Sequence, residues 1–356
     1  MELRGNRGEW SELYAFLKLL ADGEMHSGDG HLEHREGSIR YPILEVFRDD
    51  SPDRASYRVS ADDKSIYIEY HDESAIVTQE KFRDEAMLLM KNIREMSSTA
   101  DFPDIHPFLK EIGVDKIKAK SRDKADIRIV IHNLHNGTRP ELGYSIKSRL
   151  GAPSTLINAC NDNTNFIYQV VPSGKLDVGR FNVLTRFRQK FECLKDSCSE
   201  LRFKSAAGET MHHNLTMLDM GMETIIAHEL RYYYEGRGRT VSEITSILTE
   251  EDPLDISNGS QPMYEYKVKQ FLLAFALGMT PAKPWKGRFN ANGGYIVVKE
   301  DGDIVCYHFF DRNDLEDYLY YNTYFDTPST SRHQFGTIYT EHGDCLLKLN
   351  LQIRFL

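Results

Sequence analysis

The sequence has no apolar run long enough to cross a bilayer. Its longest, Phe271–Leu277, spans seven residues, whereas a membrane-spanning helix needs about 20. The opening Met1-Glu2-Leu3-Arg4-Gly5 has none of the apolar core of a signal peptide, so a soluble chain retained in the cytoplasm is expected. Cysteine is sparse as well: five residues, at 160, 193, 198, 306 and 345, odd in number and scattered. That excludes a disulfide framework and suits reduced thiols. Cys193-x4-Cys198 followed by His212-His213 has only a borderline zinc spacing, and Cys193 falls on an expected helix, so zinc is not expected. There is no excess of positive charge: 44 Lys and Arg against 54 Asp and Glu leave a formal net charge of −10. A protein that coats nucleic acid nonspecifically is thereby disfavoured, though not one that gathers its cations on a single concave face. Internal repeats and low-complexity runs are absent.

What the sequence does contain is centred on Lys124–His132 and Leu142–Ser148. Both segments alternate. Ile127, Ile129 and Ile131 share one face, opposite Asp126, Arg128, Val130 and His132, while Tyr144 and Ile146 oppose Ser145 and Lys147. Asn136-Gly137 between them is a strong hairpin signal. A two-residue turn there pairs residues whose numbers sum to 273, so that Asp126 faces Lys147. Pro140 starts the second strand after itself, because it cannot donate to a ladder. A carboxylate at a strand end can hold a hard divalent cation such as Mg2+. A neighbouring lysine can orient or help deprotonate water and stabilise charge on a phosphate. The alternative is a cross-strand ion pair on a solvated sheet face.

The rest of the chain supplies the surroundings. Residues 8–21 form an amphipathic helix with Trp10, Leu13, Leu17 and Leu20 on one stripe. Asn6 caps it, and Glu9 completes a capping box. Glu12 has no such structural duty. Strand-like runs at Ile39–Phe47, Arg54–Ser60 and Ser65–Tyr70 precede a helix at 79–96, and Pro103-Asp104 leads a short helix with Asp104 as its cap or first-turn acid. Ser154 or Thr155 caps a short helix running towards Asp162, before a buried strand at Phe166–Val171. Helices follow at 180–195, 241–249 and 263–278, with the stretch 214–235 between the first two. The segment His228-Glu229-Leu230-Arg231-Tyr232 ends in Tyr where a zinc helix needs a second His, so His228 is structural. Beyond Pro281, Lys283, Lys286, Arg288, Asn290 and Asn292 crowd a loop, strands run at Tyr295–Lys299 and Ile304–Phe309, and a polar loop spans Thr327–His333. These are either ordinary surface loops or a surface for phosphates and base edges, since Arg suits guanine and Asn suits adenine.

Asp126 with Ser145-Ile146-Lys147 looks like the nuclease signature Asp…(Asp/Glu)-x-Lys, with serine in the acidic slot. Ser145–Gly151, Thr155–Ala159 and Thr164–Phe166 resemble the HpaII-type family of type II restriction endonucleases. So do Gly5-Asn6-x-Gly8-Glu9-Trp10-Ser11-Glu12, Asn292–Lys299 and Thr327–His333, and the resemblance covers nearly the whole chain. It implies a mixed α/β fold, a sheet flanked by helices, with a PD-(D/E)xK nuclease-like core and a C-terminal helical and β-hairpin region that recognises DNA. The expected organisation is residues 1–100 as an N-terminal helix and small β region, 101–175 as the catalytic core, and 176–356 for recognition and dimerisation. It further implies Mg2+-dependent hydrolysis of double-stranded DNA at the palindrome CCGG by a homodimer in a prokaryotic cytoplasm. Asp126 and the Ile146 carbonyl would ligate metal, and Lys147 would orient water. Because Ser145 lacks a carboxylate, another acid must join, with Glu12 ranked ahead of Glu9, Asp162 and Glu141. Arg288, Asn290, Asn292, Ser331, Arg332 and His333 are the candidate DNA contacts. The competing expectation is a sequence-specific DNA-binding protein without catalysis, the serine marking a degenerate site.

Overall fold

The computed structural model describes residues 3–34, 40–49, 54–117, 125–134, 136–171, 174–289 and 292–356. Lys124 and Asn290 lie outside these segments. The chain forms two compact units, residues 1–154 with 289–318 and residues 155–288 with 319–356.

The first unit is built on a nine-stranded mixed sheet. Arg40–Asp49, Arg54–Ser60, Ser65–Tyr70 and Glu73–Thr78 form an antiparallel meander, the last of them a strand the sequence reading did not resolve. Arg40–Asp49 also pairs with Ile127–Ile131, which pairs with Glu141–Ser148. Gly294–Val298 then adds parallel to Glu141–Ser148, and Ile304–His308 closes the edge. The helix Arg7–Asp22 buries Trp10, Leu13, Leu17 and Leu20 and packs on the helix Gln79–Glu95. Its start is fixed by the expected capping box: the Glu9 N–H donates to Asn6 Oδ1 at 3.0 Å and the Asn6 N–H to Glu9 Oε2 at 2.9 Å. Asp104 does not cap the helix His106–Glu111; its carboxylate accepts the Asn92 amide at 2.9 Å.

In the second unit a four-stranded antiparallel sheet runs Glu200–Ala206, Asn165–Val171, Asp344–Asn350, Ile338–Glu341. Thr155–Ile157, Ile353–Phe355 and Thr323–Phe325 make a smaller sheet. Residues 155–157 are thus strand, not helix, in keeping with β-branched Thr155 and Ile157, and Asp162 sits on a 3-10 turn, Asn161–Thr164. The expected helix at 180–195 is two, Val178–Val183 and Phe187–Asp196, and the stretch at 214–235 is likewise split, into Glu209–Leu218 and Met222–Tyr234. All five cysteines are free thiols. Among the described residues no helix is long and apolar enough to cross a membrane.

Glu229 lies fully buried between the helices Met222–Tyr234 and Val241–Glu251. Thr245 Oγ1 stands 2.6 Å from Glu229 Oε1 and 2.8 Å from the Val241 carbonyl. A hydroxyl has one proton, so when Thr245 donates to Val241 the carboxyl proton of Glu229 completes the second bond. Burial holds that proton, pushing Glu229 from 4.5 up to about 8 against the opposing Thr245 hydrogen bond. The stabilisation is therefore complete below pH about 4.5 and lost as pH rises through about 8. Glu229→Gln, neutral and nearly isosteric, should gain melting temperature over the native protein steadily from pH 5 to pH 8 and level off above it. Thermal melts across that range check this, and a constant offset would refute it.

Candidate active site

The hairpin loop sets the geometry. The Asn133 N–H donates to Thr138 O at 3.0 Å and the Ile131 N–H to Pro140 O at 3.3 Å. The ladder therefore closes at Asn133 and Thr138, not around a two-residue Asn136-Gly137 turn. The ladder pairs Ile127 with Tyr144 and Val130 with Glu141, so opposed numbers sum to 271. Asp126 consequently faces Ser145, and the expected Asp126–Lys147 opposition is corrected by two residues. Side chains alternate with a period of two, so a slip of two keeps Asp126, Ser145 and Lys147 on one face.

Local packing brings Asp126 close. A Cβ on Gly143 would lie 2.7 Å from that of Ala125, so glycine is required for the chain to approach here. The Gly143 N–H is in turn taken by Asn292 Oδ1 at 3.0 Å. The Asp126 N–H donates to Tyr144 O at 2.8 Å. Its carboxylate Oδ2 accepts the Ile146 N–H at 2.8 Å and the Ser145 hydroxyl at 3.0 Å. Ser145 Oγ accepts the Lys147 ammonium at 2.9 Å. Lys147 also lies 5.1 Å from the ring centre of Tyr295, whose phenol burial keeps protonated, with Tyr318 and the charge on Asp126 acting in the same direction.

Both of these bonds fall on Oδ2. Glu12 and Phe16 of the first helix, Arg48, Asp126, Ile127 and Ile146 line a small recess. A strand residue presents its N–H and C=O to the same neighbour, so the Ile146 carbonyl turns the same way as the N–H that binds Asp126. The recess is thus lined by two acidic residues, Glu12 and Asp126, together with Ile146. Among the described residues there is no group of three or more His, Cys, Asp or Glu able to hold a metal. An all-oxygen set with few protein ligands fits Mg2+, which keeps several waters, and does not fit zinc.

Arg48 is the member of this recess that sequence reading missed. It is 6% exposed, with its guanidinium donating to the Ile117 carbonyl at 2.8 Å and to that of Lys116. On its strand Tyr41 and Ile43 are buried, then Val46 and Arg48, because the register shifts between Ile43 and Glu45. Simple alternation sends Arg48 outward. The bulge turns it in.

The other candidates are placed as follows. Glu9 is committed to the helix cap. Glu141, at the turn end of the hairpin, accepts Arg54 at 2.5 Å. Asp162 belongs to the second unit, where Lys348 at 2.8 Å holds its carboxyl below the usual range. Arg288 and Asn292 are exposed, and Asn290 is outside the described residues. Ser331, Arg332 and His333 form the one-turn helix Thr330–His333, capped by Ser329. His333 Nδ1 accepts the Asn161 N–H at 3.3 Å, and burial with the Arg332 charge lowers its basicity.

A sequence profile of the HpaII restriction endonuclease family matches residues 6–355. The type II restriction enzyme HpaII of Haemophilus parainfluenzae is 40% identical over 99% of this chain and 98% of its own length. No solved structure matches.

Glu9 and Glu12 lie on one helix, Glu9 in its cap and Glu12 lining the recess, which makes them a matched pair for substitution. Glu9→Gln should lower stability by about 1 kcal/mol or less, as loss of a cap does, without altering divalent-cation affinity. Glu12→Gln should weaken Mg2+ binding severely with the fold intact. Calorimetric titration and thermal melting read the two effects separately. Normal cation affinity in Glu12→Gln with loss in Asp162→Asn would assign the acid to Asp162.

Proposed function

The chain belongs to the HpaII restriction endonuclease family and is a type II site-specific deoxyribonuclease, and on that premise we propose that it cuts double-stranded DNA at CCGG with Mg2+. The observation that carries the catalytic assignment is the hydrogen-bonded line Asp126–Ser145–Lys147 beside the recess that contains Glu12. Asp126 and the Ile146 carbonyl would hold the ion, and Glu12 would supply the carboxylate that Ser145 lacks, with Asp162 the competing acid. A divalent ion held there would supply Lewis acidity towards water and the scissile phosphate.

Lys147 orients the attacking water and offsets negative charge on the phosphate. Ser145 is the positioning residue: its oxygen aims the ammonium, and its proton holds Asp126 Oδ2. Water oxygen bonds to phosphorus as the ester bond to the leaving oxygen breaks, and solvent returns a proton to that oxygen. Catalysis is assigned to residues 101–175, supported by 1–100, with DNA reading and dimerisation in 176–356. A palindrome favours a two-fold homodimer, each protomer cutting one strand. The proposed compartment is a prokaryotic cytoplasm. The alternative of a non-catalytic DNA-binding protein finds no support, since the family is one of enzymes.

Digestion of unmethylated plasmid with Mg2+, followed by sequencing of the ends, tests the target; ends that do not map to CCGG would exclude it. Asp126→Ala should abolish cutting while site binding survives, because it removes a metal ligand and no base contact. Lys147→Ala should likewise stop cutting with the fold intact. Near-native turnover in either variant would end the assignment.

Base reading is assigned to Arg332 and Arg288, with His333, Asn292, Asn290 and Ser331 as further candidates. An arginine fork on guanine N7 and O6 discriminates by roughly 1–3 kcal/mol. Truncating Arg332 or Arg288 should therefore erode the preference for CCGG over altered sites in competition binding. Uniform weakening on every duplex would make that residue a phosphate contact instead.

A further inference from the structure

Residues 266–299 contain no Asp or Glu, although acids number 54 of 356 overall, so about five would be expected in a stretch of that length. Within it Lys283, Lys286 and Arg288 are exposed and, among the described residues, form no ion pair. They sit on the loop 280–288 of the second unit. One buried side chain holds that loop. Asn214, on the helix Glu209–Leu218 and 3% exposed, donates through Nδ2 to the carbonyls of Thr280 at 3.1 Å and Lys283 at 3.0 Å, and its Oδ1 accepts the Trp285 N–H at 2.8 Å. The Trp285 indole N–H donates to Arg288 O at 3.1 Å.

The loop's composition serves the same end. Pro281 and Pro284 fix φ and lack N–H groups. Gly287 has φ +69°, and a Cβ there would press on Met217 at 3.0 Å. An ordinary surface loop satisfies its carbonyls with water. Here a buried amide spends three hydrogen bonds on one loop shape, and that shape displays cations without counter-charges. Such rigidity matters for binding, because side chains and backbone that are already ordered lose less freedom on association.

We propose that loop 280–288 is a preformed clamp for the phosphate backbone of duplex DNA. Lys283 and Lys286 are its phosphate contacts, and Asn214 is the positioning residue that presents them. The inference rests on the reading of the chain as a DNA-cutting enzyme. Lysine suits the role as a compact point charge on phosphate. Phosphate contacts set register while base contacts specify, so the clamp would also fix where Arg288 meets the groove.

The test is fluorescence anisotropy of the full chain on duplexes with and without CCGG, with Ca2+ replacing Mg2+, across a range of salt concentrations. Lys283→Ala with Lys286→Ala should weaken both duplexes alike and reduce the log–log salt slope by about 1.8, at roughly 0.9 per phosphate contact. Asn214→Ala should weaken both duplexes with a reduced slope, and raise KM for the duplex more than it lowers kcat. A native slope in the double lysine variant would overturn the clamp. So would an Asn214→Ala protein that merely melts lower with an unchanged slope, or loss confined to the CCGG duplex, which would make the loop a base reader. A native chain that neither binds nor cuts any duplex would overturn the nuclease reading itself.

Discussion

The site depends on one carboxylate oxygen. Asp126 Oδ2 takes the Ile146 N–H and the Ser145 hydroxyl, and so does the work of a ladder partner where the Ile127–Ile131 strand has ended. Hydrogen bonds to a charged acceptor are stronger than neutral ones, about 1.5–3 kcal/mol each. Two of them on one oxygen fix the carboxylate plane, and with it the direction of Oδ1. The same serine oxygen receives Lys147, so Asp126 and Lys147 are linked through a single atom. Moving the Asp126 end of the strand by one residue would reverse the face and dissolve the arrangement. A shift of two leaves it in place.

That parity explains what the sequence could reveal. Alternation at Ile127, Ile129 and Ile131 identified the apolar face, and a side-chain period of two protected the Asp126, Ser145 and Lys147 grouping from an error in register. The register itself depended on loop closure between Asn133 and Thr138, which the Asn-Gly signal misrepresented. The first helix was legible because its stripe and its capping box are both local patterns. Arg48 was not, because a bulge elsewhere on its strand inverted the alternation. Gly294–Val298 read clearly as a strand, but its parallel pairing with Glu141–Ser148 joins residues about 150 apart and has no local mark. Strand Thr155–Ile157 is three residues long, too short for periodicity to separate it from a helix.

Charge shows the same limit of averages. A net charge of −10 describes the whole chain and says little about any one surface. Exposed cations attract a polyanion over about 8–10 Å at ordinary ionic strength, so the local absence of acid matters more than the total. The stretch 266–299, which holds Lys283, Lys286 and Arg288, carries no acid of its own. An acidic remainder disfavours retention on arbitrary DNA, which is useful to an enzyme that must leave wrong sites quickly.

Serine in the acidic slot shifts where the second carboxylate must come from. At position 145 a carboxylate would lie on the same strand as Lys147, and its placement would be set by the sheet alone. Ser145 instead acts as neutral coupling between Asp126 and Lys147. On the proposed assignment the compensating charge arrives on Glu12, from a different element. The position of Glu12 is then only as good as the seating of the Arg7–Asp22 helix, which rests on the Asn6–Glu9 cap and on buried Trp10, Leu13, Leu17 and Leu20. Metal affinity in this arrangement is coupled to the docking of one helix, so core substitutions beneath that helix would reach the metal through Glu12 before they reach Lys147.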